Sequence, residues 1–334
     1  MPRAIIVLLL ALGLLEPAAC TQQSSARPEP TYKGTINVGL ATWTGYGVFF
    51  VASARNFWGQ QQLDVNVSVV EDSVSRLDQL NSKHLQAAAA GVETLARAQS
   101  NGLPAVDVFP VDASVGGDAI VVRNGVNSVK DLQGKIVAVS QGSPSEWFLA
   151  QVLSEQGMSL SAVVERNMLP ADAVSAFLQG RVDAVALRDP WLKGTNKPGF
   201  DHVLTSTRDH PQAVLDVLAF REDFAEDYPG SVRKFLTAYF QAFRWIQDNP
   251  GTAQQLIGEA VNESAGDVQS DLTRLTLLDA NAGRQLMGTS KKHGRLYSDV
   301  KAAGQFWKEQ GKVTNPVEAD RAIKPDFLAT LRGV

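Results

Sequence analysis

Cysteine is almost missing from this sequence. Cys20 is the only one in 334 residues, so the chain forms no internal disulfide and holds no cysteine-based metal cluster. Histidine is scarce as well: His84, His202, His210 and His293 stand in no H-E-x-x-H or comparable ligand spacing, and all four are expected in solvent-exposed loops. There is no G-x-S-x-G elbow to present a nucleophile. Gly116-Gly117 lacks the Walker pattern of a phosphate loop and is read as serving backbone geometry. Without a fixed short repeat, solenoids and propellers are excluded. An excess of positive charge is also absent. Lys and Arg total 31 against 35 Asp and Glu, a formal net charge of -4, which argues against nucleic acid as a partner.

What is present describes a soluble globular chain, 44% hydrophobic and 20% charged, long enough for one large or two ordinary domains. Arg3 precedes the apolar run from Ala4 to Leu15, about a dozen residues, too short to span a bilayer and suited to a secretory signal. Ala18 and Ala19 then lead into Cys20. This resembles a bacterial lipoprotein signal, with Pro17 where that motif usually has an aliphatic residue. The expectation is a signal peptide over 1–19, lipidation of Cys20, and a polar, Pro-rich tether over 20–33. An ordinary signal cut after Ala19, leaving a free Cys, is the alternative.

From Gly34 strand and helix patterns alternate. Strands are predicted at 35–40, 65–70, 87–90, 106–111, 118–123, 136–140, 162–168, 184–187, 202–204 and 214–221. Between them come helices at about 48–56, 72–82, 95–100, 146–155 and 171–179, with a turn at Gly91–Thr94 and a loop at Asp112–Gly117. The tail reads as helical, with helices at about 252–261, 266–277 and 297–310, and its positions Phe235, Leu236, Tyr239, Phe240, Phe243 and Ile246 recur at helical spacing. Such alternation predicts an α/β fold with mostly parallel sheets and helices on both faces.

The two runs of βα units predict two lobes, 34–117 plus 216–334 and 118–215. The chain is expected to leave the first lobe near Gly117–Val121 and return near Asp216–Phe220, so two strands form a hinge and a ligand cleft lies between the lobes. The stretch from Gly134 to Trp191 carries the clearest site signal. Strand 136–140 ends in Gln141-Gly142-Ser143-Pro144, which delivers Ser145 to a helix start, where backbone N–H groups point outward. Strand 184–187 ends at Arg188-Asp189-Pro190-Trp191, and ligands sit at the carboxyl ends of parallel strands.

Four segments then acquire meaning together: Trp43-Thr44-Gly45-Tyr46, Asp131 to Lys135, Ala176 to Ala184 and Asp189-Pro190-Trp191. In this order they resemble the solute-binding proteins of ABC importers, in the branch for nitrate, taurine, aliphatic sulfonates and thiamine precursors. The resemblance covers about residues 35 to 328. It implies a two-lobed periplasmic-binding-protein fold of type II-like form and a protein that captures a solute by lobe closure. The expected chain is no enzyme, uses no cofactor or metal, sits lipid-anchored in the periplasm or cell-envelope membrane, works as a monomer and meets ABC permease subunits.

Carried over residue by residue, the resemblance implies ligand contacts from Trp43, Tyr46, Glu93, Asp112, Ser114, Ser143, Ser145, Glu146 and Asp189. Glu146 departs from related sequences, which often have a His or another non-acidic residue there, and Asp189 stands where Glu is common. Each residue has a plainer reading too. Glu146 suits its own helix's N-terminal dipole, Glu93 can cap, Asp112 can form an Asx turn with Ser114, and Asp118 can serve the hinge.

Glu93, Asp112, Asp118, Glu146 and Asp189 crowd the expected cleft, with Arg188 as the one basic side chain nearby. Unbalanced carboxylates repel an oxyanion, so the expected solute is nitrogen-rich or cationic, of the urea, guanidine or amine kind. An oxyanion such as a sulfonate, taurine or nitrate, held by the N–H groups of Gly142 to Ser145, is the alternative. Of another class altogether are an enzyme resembling the pyridoxal-phosphate-dependent thiamine-pyrimidine synthase, and a ligand-sensing subunit of a membrane receptor.

Overall fold

A computed structural model describes residues 29–195, 199–210, 213–331 and 333. The expected signal segment 1–19, Cys20 and most of the tether lie outside the described residues. Among those described, the strands in chain order are β1 (Thr35–Leu40), β2 (Asp64–Val69), β3 (Ala87–Gly91), β4 (Ala105–Ser114), β5 (Asp118–Arg123), β6 (Ile136–Val139), β7 (Val164–Asn167), β8 (Ala184–Arg188), β9 (Asp201–Ser206), β10 (Leu215–Arg221) and β11 (Leu275–Leu277). They form two sheets, ordered β11-β4-β10-β3-β1-β2 and β7-β6-β8-β5-β9.

Why each sheet is mixed follows from how the chain crosses between them. β4 runs in the first sheet to Ser114, and β5 begins at Asp118 in the second. Arriving from the carboxyl ends of the first sheet's parallel strands, the chain enters the second sheet at the corresponding edge. β5 therefore runs antiparallel to β8 and β9, whereas β6 is parallel to β7 and β8. On the return, β10 runs antiparallel to β3 and β4 for the same reason. Both sheets thus point their carboxyl ends at a shared boundary, where ligands are held in open α/β sheets.

The crossings fall at Val115–Gly117 and between Ser206 and Leu215, slightly ahead of the places read from the sequence, because β5 and β10 each belong wholly to one sheet. Gly116 has φ +106°, a conformation open mainly to glycine. At Gly117 a Cβ would come within 2.5 Å of the Trp43 ring. These two glycines are required by the turn and by close approach.

Packing follows the strand period of two. In the second sheet Ile120, Val122, Val137, Val139, Ala184 and Ala186 join the large core with the Pro144–Glu155 helix. Ala119, Val121, Ala138, Val185 and Leu187 face the other way, onto Ala173, Ala176 and Phe177 of the Pro170–Leu178 helix. In the first sheet β3 is Ala87 to Ala90 and Gly91, all buried, with small side chains suited to helices on both faces. The Pro229–Asp248 helix buries Phe235, Leu236, Tyr239, Phe240, Phe243 and Ile246 as its spacing predicts.

Several local expectations change. The helix after β3 starts at Val92, so Gly91–Thr94 is no turn, and Glu93 lies in a first helical turn. Asp112 and Ser114 lie in β4, because β10 and β11 pair with that strand on its two sides. The next lobe's helix begins at Pro144 with Ser143 before it, two residues earlier than expected. The helix expected over 266–277 ends at Leu272, and Leu275–Leu277 closes the sheet as β11. The tether's last residues are docked: Tyr32 packs on Phe224 and Tyr228, and its N–H donates to Ser231 Oγ at 2.8 Å. His202 lies in β9, and half-buried His210 contacts Thr205 and Glu155. Among the described residues no helix is long and apolar enough to cross a membrane.

Candidate functional site

At the boundary between the two sheets lies a small cavity of about 30 Å³, room for about two water molecules. Its lining includes Ser73, Pro144 and Pro170, each the first residue of a helix that follows a parallel strand. Three helix N-termini therefore converge on one space; the Asp72 carboxylate caps the Ser73–Asn81 helix through the Ser75 N–H at 2.7 Å, and the other two bring partial positive charge and first-turn N–H groups. Among the described residues no side chain caps the Pro144–Glu155 or the Pro170–Leu178 helix. The Ser143 hydroxyl, at the position before the former, donates instead to the Ser140 carbonyl at 2.6 Å.

Two guanidinium groups complete the lining, Arg76 and Arg188. Arg76 sits on the helix Ser73–Asn81 whose buried positions are Ser73, Arg76, Leu77 and Leu80. Its side chain crosses β1 at Gly39, where a Cβ would stand 3.1 Å from Arg76 Cγ and 2.5 Å from Leu85. Arg76 donates to the carbonyls of Val70 and Glu71 and to Ser73 Oγ. Among the described residues its buried Nε has no partner. Burial lowers its pKa from the usual arginine value, and the nearby Glu71 and Asp216 oppose that shift.

Arg188 ends β8 and reaches beneath the cavity. Its guanidinium lies 3.9 Å from the centre of the Trp43 ring, Nη2 donates to Asp216 at 3.0 Å, and Nε stands 3.8 Å from Asp118. Burial acts to lower its pKa, yet the charges of Asp216 and Asp118 outweigh this and raise it well above the usual value. Trp43 Nε1–H donates to Asp112 at 3.1 Å. Asp112 and Asp216 face each other across β4 and β10. Burial, and then the charge of Asp216, pushes Asp112 well up. Asp118 is raised by burial against the pull of Arg188. The Arg188 guanidinium thus offsets part of the negative charge of Asp216 and Asp118.

The residues singled out from the sequence distribute around this space in a definite way. Ser143 and Ser145 line it. Trp43, Tyr46 and Asp112 lie fully buried in the layer with Arg188. The Ser114 hydroxyl meets Thr207 Oγ1 at 2.8 Å and so ties the two crossings together. Glu93 is buried, receives the Thr94 hydroxyl, and is raised to about 8 by burial and then by Asp216.

Glu146 accepts from Gly142 N–H at 2.7 Å and from Arg97 at 2.8 Å. Asp189 pairs with Arg274 at 3.1 Å, and its pKa is raised to about 7 because burial outweighs that cation. Arg188 is thus not the only base near the acids: Arg76, Arg97, Arg274 and Lys312 reach the same region. Among the described residues no cluster of His, Cys, Asp and Glu is arranged to hold a metal ion.

Comparison with known proteins agrees with this architecture. The taurine-binding periplasmic protein of Escherichia coli (strain K12) is 27% identical over 291 residues, covering 83% of this chain and 88% of that one. The alkanesulfonate-binding protein SsuA from Xanthomonas axonopodis pv. citri bound to MOPS superposes with TM-score 0.73 at 18% identity, over 88% of this chain and 99% of that chain. The periplasmic nitrate-binding protein NrtA from Synechocystis PCC 6803 gives TM-score 0.72 at 14% identity, over 90% and 88%. The fold is that of two-lobed periplasmic binding proteins. A family model described as NMT1/THI5 like matches residues 43–253, well over half of the sequence, and the chain belongs to that family.

Proposed function

We propose that this chain is the extracytoplasmic solute-binding component of an ABC importer and that its solute is a small oxyanion, with sulfonates first among the candidates. One observation carries the reading: three helix N-termini and two buried guanidinium groups converge on one small cavity between the lobes. Such a space favours negative charge. The relatives named for taurine, alkanesulfonate and nitrate support it.

The nitrogen-rich or cationic solute expected from the sequence is less well supported. That expectation rested on unbalanced carboxylates, whereas Glu146 and Asp189 have cationic partners and Asp112, Asp118 and Glu93 are raised by burial. Glu71 is the acid in the cavity lining, and its carboxylate accepts the Thr42 N–H at 2.9 Å. It favours an amine on the same solute, as in an aminosulfonate.

In this reading the solute bridges the Arg76 side and the Ser143–Ser145 side, and its preference for the closed form shifts the lobes together. The lobes moving as bodies are 34–117 plus 216–334 and 118–215. The closed protein then meets permease subunits, as a monomer held to the cell envelope by lipid on Cys20, and nothing is transformed. Titration calorimetry across taurine, alkanesulfonates, nitrate, urea and guanidinium tests it. Binding of urea or guanidinium with no heat from any oxyanion would overturn the choice of solute. Mass spectrometry of the mature N-terminus tests the lipid.

A further inference from the structure

Glu146 is absent from the cavity lining, although it lies in the first turn of the helix that presents Ser145. It is fully buried. One carboxylate oxygen accepts both the Gly142 N–H at 2.7 Å and Arg97 Nη1 at 2.8 Å, and the other stands 3.7 Å from Lys312 Nζ. Glu146 and Gly142 belong to the second lobe, and both cations belong to the first. Arg97 lies in the last turn of the Val92–Ser100 helix, its guanidinium 5.1 Å from the centre of the Trp307 ring. Lys312 follows the Arg295–Glu309 helix. Glu165 on β7 faces the same patch: burial raises its pKa, the charge of Glu146 adds to that, and Lys312 and Arg97 oppose it.

We infer that Glu146 is a closure latch, a positioning residue that ties the solute-holding loop to Arg97 and Lys312 of the opposite lobe. The inference rests on the solute-capture reading and specifies how that site is regulated. Through Gly142 the carboxylate shapes the turn that carries Ser143 and Ser145. Through Arg97 and Lys312 the same carboxylate resists lobe separation. A carboxylate this deeply buried is tolerated only while its cations are present, so opening must hydrate all of these groups together. A helix-dipole role for Glu146 operates within one lobe and needs neither cation. The contacts with Arg97 and Lys312 are what distinguish the latch.

The test is a double-mutant cycle on Glu146→Gln and Arg97→Gln in the full chain, read by stopped-flow binding of a solute that the wild type takes. Each single variant is expected to raise koff about tenfold, as loss of a charge-assisted hydrogen bond does, with kon within about twofold of wild type. The double variant is expected to be no worse than either single one. Additive losses, or a fall confined to kon, would overturn the latch and leave only a loop-shaping role.

A second arm needs no solute. Nitroxide labels at exposed Ser82 and Arg181, in a Cys20→Ser background, report the distance between lobes. Glu146→Lys is expected to lengthen it relative to wild type, with a cooperative melt confirming that the variant is folded. Identical distance distributions in wild type and E146K, with and without saturating taurine, would overturn the latch. Failure of every solute to bind would count against the solute reading alone.

Discussion

Replacing Arg76 with Gln probes the oxyanion reading at one atom. In the native chain this guanidinium is 1% exposed, is held by the Val70 and Glu71 carbonyls and Ser73 Oγ, and keeps a buried Nε without a partner among the described residues. At about 4 Å and an effective dielectric near 20, two unit charges interact by roughly 4 kcal/mol. An oxyanion entering the cavity gives up its hydration, so the net value falls to that of a charge-assisted hydrogen bond, roughly 1.5–3 kcal/mol. Affinity is therefore expected to drop by about ten- to a hundredfold.

The same change withdraws donors from two carbonyls and costs an estimated ~1–3 kcal/mol of stability, so a lower melting temperature alone decides nothing. Calorimetric titration with a sulfonate, on samples with a cooperative melt, separates the two effects. Arg76→Lys, which retains the charge and loses the planar fork, is expected to fall between wild type and Arg76→Gln. The reasoning is refuted if Arg76→Gln binds the sulfonate within twofold of wild type, or if it loses affinity equally for an uncharged solute.

Three further outcomes are expected. Asp107 is fully buried, hydrogen-bonded to Gln99 at 3.2 Å, and raised from 3.8 to about 7 by burial. The folded state therefore binds a proton that the unfolded state releases between those values, and this group's stability contribution is lost as pH rises through the interval. Asp107→Asn should thus gain on wild type in thermal melts from pH 5 to pH 8, by at most about 3 kcal/mol; a constant difference between the two would exclude this. Gly117→Ala places a Cβ 2.5 Å from the Trp43 ring and 3.2 Å from the Arg274 carbonyl. It should cost about 1–3 kcal/mol in urea unfolding through overpacking. Asp216→Asn removes the partner of Arg188 at 3.0 Å and leaves that cation buried, which should lower the stability read from urea unfolding by on the order of 3 kcal/mol; an unchanged stability would show that Asp118 suffices.

The two sheets and most helices were legible because the strand period and the helical spacing are both written locally, as in Ile136–Val139 and Phe235–Ile246. The site was less legible. Arg76 was not singled out from the sequence, yet Ser73, Arg76, Leu77 and Leu80 share the spacing of a buried face. A charged residue at a core position of an amphipathic helix was the available signal. Arg188 gave a similar one, ending a wholly buried strand.

The pairing of Asp112 with Asp216, or of Glu146 with Arg97 and Lys312, depends on register and contact between distant segments. No local pattern carries that information. The sequence count of acids therefore exceeded the charge the cleft presents, and it led to a cationic solute.

Crystals grown with taurine and measured for sulfur anomalous scattering address the central claim directly. The account expects a sulfur peak between the lobes, within hydrogen-bonding reach of Arg76, Arg188 and the Ser145 N–H through the sulfonate oxygens. A sulfonate bound with full occupancy elsewhere on the protein, with no peak in that cavity, would contradict it.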